Sequence, residues 1–150
     1  ALLEGAQPGQ LRVVVVHQPA EVARAQDRHH RLRGHAQELD RWAAAGADLV
    51  MGGHIHLPYV VPITGLARPL WVVQAGTAVS TRRRTGLPNS VNLVRWGEAG
   101  VHGGGHGGGH GGGDGGPAPG RCHIEQWDYA ADHRAFVPTR VCKVAPHRTA

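Results

Sequence analysis

A glycine-rich segment late in the sequence restricts which parts of the chain can form a packed core. Of the 23 Gly in 150 residues, 11 lie between Gly103 and Gly116, where a His-Gly-Gly-Gly unit repeats from His102 to His110. Glycine loses the most backbone entropy on ordering and has no side chain to pack. We therefore expect a disordered His/Gly-rich insert at about 102–120, with the folded structure formed by the residues on either side.

The residues before this insert have the pattern of an α/β protein. Residues 11–16 form a short β-branched run that is typical of a buried strand and stops before Pro19. Residues 20–45 have a loose helical stripe of apolar side chains. This stripe predicts one or two helices, with a break near Gly34 and an end at Gly46.

Further strands are predicted on both sides of the insert. Each is a short run of β-branched or aromatic residues between turn residues. The runs are residues 48–51, 59–63, 70–75, 90–96, 122–129 and 134–140, and the last two predict a hairpin around residues 130–133. The fold class expected is α/β, a mixed sheet with packed helices, with one domain spanning 1–150.

Composition narrows the classes of partner. The formal net charge is +5, but 15 of the 16 basic residues are Arg and, outside Arg82-Arg83-Arg84, they are scattered. This pattern does not favour a nucleic-acid partner, except as a substrate. No apolar run reaches the roughly 18 residues that span a membrane, so we expect no membrane partner. Cys122 and Cys142 are expected to be free thiols in a reducing compartment, with the cytoplasm as the default.

The first residues, Ala1 to Gly5, include neither an initiating Met nor the basic and apolar regions of a signal peptide. We expect the sequence to be a section of a longer chain.

Three histidines follow the ends of predicted strands. His17 follows the first strand, and His54 and His56 follow the next one after Gly52 and Gly53. Side chains beyond the carboxyl ends of strands in an open α/β sheet line the same crevice, and glycine lets the backbone turn sharply beside a ligand. Imidazole binds Zn²⁺, Fe, Mn²⁺ and Ni²⁺, so this pattern indicates a metal site. The alternative is that the two His are polar side chains on one face of a strand.

The stretches VVVVHQP, around His17, and GADLVMGGHIH, around His54 and His56, resemble two consecutive motifs of the calcineurin-like metallophosphoesterases. The resemblance covers residues 1 to about 96, and more loosely 121–141. It implies the C-terminal half of the family's α/β sandwich. It also implies a hydrolase that acts on a phosphoester substrate with two divalent metal ions (Mn, Fe or Zn). By the same resemblance His54 would share one ion with His17, and His56 would bind the other.

The family's other motifs, Asp-x-His, Gly-Asp-x-x-Asp and Gly-Asn-His, have no counterpart in the expected order. Asp27-Arg28-His29 spells Asp-x-His, but it follows His17 inside a predicted helix, so we interpret it as coincidence. The bridging carboxylate, the Asn ligand and the acid/base His are absent, and catalytic residues stay unknown. A missing N-terminal half of the domain would supply them, together with strands facing the sheet. Without it we expect weak metal binding, little turnover and an uncovered apolar sheet face.

Three further patterns have alternative interpretations. The alternative function is a non-catalytic metal-binding protein in which the His-Gly tract, His102, His106 and His110, acts as a flexible chelator. Arg82-Arg83-Arg84 either steers phosphate groups toward the metals or forms a solvated loop. Asp48 either orients a ligand His or stabilises a buried turn. The four Trp are expected to pack in the core: Trp42, Trp71, Trp96 and Trp127.

Overall fold

The computed structural model describes Gly5, Gln7, residues 9–97 and residues 121–146. These ranges form a mixed α/β structure with two sheets and few helices. The elements in chain order are β1 (Val13–Val15), a 3₁₀ helix (Ala25–His30), α1 (His35–Ala44), β2 (Leu49–Gly52), β3 (Tyr59–Ile63), β4 (Leu70–Gln74), β5 (Ser90–Trp96), β6 (Cys122–Ala130) and β7 (Ala135–Val144).

The first sheet is mixed, with the strand order β1-β2-β4-β3. Strands β1, β2 and β4 are parallel, and β3 pairs antiparallel to β4. The parallel strands are continuous apolar runs because both faces of this sheet are covered. Alternate residues of β2 reach opposite sides: Val50 packs with Leu39 and Ala43 of α1, whereas Leu49 packs with Ile124 of the second sheet.

The second sheet is antiparallel, in the order β5-β6-β7. The predicted hairpin around residues 130–133 is confirmed: β6 and β7 pair from Cys122 and Val144 to the turn, with one register shift at Gln126/Trp127. β5 pairs along its full length with Cys122–Asp128 of β6, although residues 98–120 lie between the two strands in sequence. The predicted disorder of the His/Gly-rich insert lies outside the described residues.

The molecule thus has three layers: α1, the four-stranded sheet and the three-stranded sheet. The expected uncovered face is not found on the four-stranded sheet, because α1 packs on one side and the second sheet on the other. The exception is the edge strand β1, where Val15, on the same face as Val13, is 75% accessible, so part of the expected uncovered apolar face is present there. Trp71 and Trp96 are partly buried and pack against the core between the sheets, whereas Trp42 of α1 packs against the core on the helix side.

Residues 20–45 divide where the sequence predicts. Gly34 has a φ of 73° and Gly46 a φ of 95°, both in the left-handed region that glycine adopts without strain. α1 lies between them and buries Leu39 and Ala43. The preceding stretch forms a 3₁₀ helix instead of an α-helix, and its buried residue is the charged Asp27. No helix in the described ranges is long and apolar enough to span a membrane.

Both cysteines are free. They lie on the same face of the β6–β7 hairpin in diagonal positions, because Cys122 pairs with Val144 and Cys142 pairs with Ile124. Cys122 is fully buried between the sheets. Burial, and more weakly the Asp48 carboxylate and Cys142, raises the pKa of Cys122 from 9.0 to about 11.

A thiol whose pKa is raised on folding stabilises the protein fully below the unfolded pKa, and this stabilisation is lost as pH rises through the folded value. Between about pH 8 and pH 10.5, the wild type should therefore lose about 2 kcal/mol more free energy of unfolding than Cys122→Ala. Urea unfolding of both proteins at the two pH values measures this difference. Equal losses would show that the buried thiol does not resist ionisation.

Candidate metal-binding site

Parallel pairing of β1 and β2 brings two of the predicted ligands to the same edge of the sheet. Val15 pairs with Met51, and the ladder continues beyond the strands as Val16 N donates to Met51 O at 2.9 Å and Gly53 N donates to His17 O at 3.2 Å. Since both strands run in the same direction, the residues after their carboxyl ends emerge side by side. His17 and His54 lie at this edge, and both are exposed.

The ring nitrogens of His17 and His54 converge. His54 Nδ1 lies 3.0 Å from His17 Nε2, and the ring centroids are 4.8 Å apart. Two nitrogens that each lie about 2.1 Å from one ion, at an angle of about 90–110°, are separated by about 3.0–3.4 Å. The two imidazoles are therefore already spaced as two ligands of a single metal ion, and a proton shared between them holds the same arrangement.

The electrostatic surroundings of His54 favour the neutral ring that binds metals. Desolvation is the largest cause that lowers its pKa, followed by the positive charge that His17, His30 and His56 would carry if protonated. A lowered pKa means that fewer rings carry the competing second proton at neutral pH.

The third predicted ligand, His56, is oriented by the backbone of the loop that contains Arg82-Arg83-Arg84, here called the arginine loop. Its Nδ1 lies 2.6 Å from Arg82 O. Because a carbonyl oxygen only accepts hydrogen bonds, Nδ1 must carry the proton, which leaves the Nε2 lone pair available. Metal-binding histidines commonly have their second ring nitrogen fixed in this way.

The backbone carrying these histidines is in an uncommon conformation. His54 has a φ of 32° and His56 a φ of 53°, in the left-handed region that side chains other than glycine seldom adopt. Such residues cluster at functional sites, where the surrounding structure holds the strained conformation. His54 and His56 therefore present their rings from a backbone conformation that costs energy.

Gln74 is one of the groups that hold the loop, and no sequence pattern singled it out. It is buried at the end of β4, and its Nε2 donates to Gly53 O. A Cβ at Gly52 would lie 2.8 Å from Gln74 Oε1, whereas a Cβ at Gly53 would meet nothing within 4 Å. The absence of a Cβ is thus required only at Gly52, and not at Gly53. The side chain that lies against Gly52 is Gln74.

Arg84 connects the 3₁₀ helix to the loop of residues 53–58, here called the histidine loop. Its Nε donates to Ile55 O at 2.9 Å, and its Nη2 lies 2.7 Å from Asp27 Oδ1. Asp27 is only 2% exposed. Its Oδ1 is paired with Arg84, whereas its buried Oδ2 has no hydrogen-bond partner among the described residues. Arg84 is structural, while Arg82 and Arg83 are exposed.

The histidine loop, the 3₁₀ helix and the arginine loop enclose an open cavity of about 550 Å³, here called the histidine cavity. His30 joins the three predicted ligands in lining it, with its ring centroid 5.4 Å from that of His54. Sequence reasoning missed His30, because it lies in a 3₁₀ helix without a strand-end signal. The full lining is His17, His30, His54, Ile55, His56, Arg82, Arg83 and Arg84.

The residues present fit a metal ion only in part. Two imidazoles converge, but within the described ranges no group of three or more His, Cys, Asp or Glu is arranged to hold an ion. Neutral imidazoles do not offset the charge of a divalent ion, and no carboxylate among the described residues lines the histidine cavity. Further ligands are needed to complete a site here.

Asp48 does not orient these ligands. It lies at the opposite end of β2, where its Oδ2 accepts from Arg12 N at 2.8 Å and its Oδ1 lies 3.3 Å from Arg68 Nη2. Asp48 is 2% exposed and fixes the entry of β2, which agrees with the structural alternative. The His-Gly tract, with the candidate chelators His102, His106 and His110 of the alternative function, lies outside the described residues.

No family model matches the chain, and no curated protein matches it in a sequence search.

Replacing Arg84 tests the connection between the loops. Arg84→Gln should lower the free energy of unfolding by about 2–4 kcal/mol, because the Asp27 carboxylate would stay buried without its counter-charge. The matched control Arg83→Gln removes a neighbouring exposed charge and should change stability by less than about 0.5 kcal/mol. Chemical denaturation measures both. If the two variants are equally stable, Arg84 does not hold the histidine loop.

Proposed function

We propose that this chain is part of a metal-dependent phosphoester hydrolase of the calcineurin-like metallophosphoesterase type. The observation that supports this best is the 3.0 Å approach of His54 Nδ1 to His17 Nε2 at the ends of two parallel strands. The oriented ring of His56, one residue beyond Ile55, adds a ligand for a second ion.

In this proposal five of the residues that line the histidine cavity have defined tasks. His17 and His54 hold one divalent ion, and the Nε2 of His56 faces the other. Two such ions, Mn, Fe or Zn, would supply Lewis acidity toward a phosphoryl group. Arg82 and Arg83 add positive charge at the wall of the cavity, where guanidinium groups suit the geometry of phosphate oxygens.

The proposal assigns the remaining ligands to the missing N-terminal half of the domain. The Val15 side chain of β1 is 75% exposed, and among the described strands only β2 pairs with β1. A further strand added in parallel to the outer edge of β1 would end beside His17, where carboxylates are lacking. The two described sheets would then form the C-terminal half of a larger α/β sandwich.

We place the protein in the cytoplasm. The thiols of Cys122 and Cys142 are both free although they are diagonal neighbours on one face of the hairpin. A reducing compartment preserves this state.

Zinc affinity tests the assignment of the ligands. His17→Ala and His54→Ala should each weaken Zn²⁺ binding to this chain at least about tenfold, because each removes one of two converging ligands. His133→Ala is the matched control, since His133 is exposed in the β6–β7 turn, away from the cavity. Competition with a chromogenic chelator measures the affinities.

The same titration on a variant lacking residues 102–116 separates the proposal from its alternative. Retained binding would favour the His17 and His54 site, whereas loss of most binding would favour a non-catalytic protein that chelates through the His-Gly tract. Turnover of bis(p-nitrophenyl) phosphate by this chain should be very low because carboxylate ligands are lacking. Strong Mn²⁺-dependent turnover that His54→Ala abolishes would contradict this part of the account.

A further inference from the structure

A second cavity adjoins the histidine cavity on the far side of the arginine loop. It measures about 910 Å³ and lies between residues 79–89 and the β6–β7 turn. Arg83 and Arg84 line both cavities. Because Asp27 already neutralises Arg84, Arg83 is the cation that can serve a ligand reaching from one cavity into the other.

Two exposed apolar side chains line the second cavity. Val79 is 92% exposed and Tyr129 is 40% exposed, and both line it. Tyr129 is held in place by an edge-to-face contact with Phe136, at 5.6 Å between ring centroids. An exposed aliphatic side chain and a fixed aromatic ring offer a surface on which a flat apolar group can pack.

The loop that carries Val79 is held at both ends. Asn89 Nδ2 donates to Thr77 O at 3.1 Å and to Ser80 O at 3.0 Å, and Tyr129 N donates to Asn89 O at 2.8 Å. Within the loop, Arg82 N donates to Ser80 Oγ at 3.1 Å. These bonds connect the arginine loop to β6, so the spacing between the two cavities is fixed before any ligand binds. A preorganised surface loses less entropy on binding.

Charge points to the class of ligand. Among the residues that the structure describes, no Asp or Glu lines either cavity, and the charged side chains that do are Arg82, Arg83 and Arg84. No described residue forms an ion pair with Arg82 or Arg83, and neither side chain is buried. Such a surface favours an anion at the arginines.

We infer that the two cavities form one extended site for an organic phosphoester whose ester group is aromatic. The phosphoryl group lies at Arg82 and Arg83 beside the histidines, and the aromatic group packs on Val79 and Tyr129. The first half of this inference rests on the proposed function, whereas the second half adds a substrate class and a specificity surface.

Two phosphonates test the inference without relying on hydrolysis, since neither contains an ester bond. Phenylphosphonate should bind this chain about three- to tenfold more tightly than methylphosphonate, because only the former has a ring to pack on Tyr129. Tyr129→Ala should remove this advantage and leave methylphosphonate affinity unchanged, and Tyr129→Phe should retain it. Affinities are measured by NMR titration, with and without Zn²⁺.

Arg83→Gln should weaken both phosphonates, whereas Arg121→Gln, a change of an exposed arginine outside both cavities, should weaken neither. The methyl resonances of Val79 should shift with phenylphosphonate only. Equal affinities for the two phosphonates, absence of binding by both, or an unchanged advantage in Tyr129→Ala would overturn the inference. A chain whose Zn²⁺ binding does not depend on His17 and His54, but which still prefers phenylphosphonate, would contradict the proposed metal site and leave the extended site standing.

Discussion

The arrangement of this protein depends on the parallel pairing of β1 with β2. Because the two strands run in the same direction and in register from Val13 with Leu49 to Val15 with Met51, their carboxyl ends reach the same edge of the sheet. His17 and His54 meet there although 36 residues separate them in sequence. An antiparallel pairing would place the two imidazoles at opposite ends of the sheet, and no common ion would then be within reach of both.

Around this edge, polar contacts hold the strained loop that carries His54 and His56. Gln74 donates to Gly53, Arg84 donates to Ile55, and the Arg82 carbonyl accepts from His56. These three contacts come from β4 and from the loop that follows it. The same loop therefore orients the ring of His56 and places exposed arginines beside the histidines, which would couple the geometry of the proposed metal site to that of the proposed anion site.

The strands were readable from the sequence because short β-branched runs between turn residues leave few alternatives, as in β3 and β5, whose bounds match the prediction. The histidines that we propose as ligands were readable from their positions after strands: His17, His54 and His56. Gln74, His30 and Arg84 were not, because their roles come from contacts between elements distant in sequence. The second sheet was also hidden, since periodicity shows that β5, β6 and β7 are strands but not that they form a separate layer over β2 and β4.

Nitrogen-15 NMR of the histidine side chains during a Zn²⁺ titration tests the central claim most directly, because it reports which ring nitrogens bind the ion. The account predicts that His17 Nε2 and His54 Nδ1 shift together as one ion binds, while the ring of His133 is unchanged. Shifts confined to His102, His106 and His110 would contradict it. In that case the 3.0 Å approach of the two rings would be a hydrogen bond between histidines and not a preformed half of a metal site.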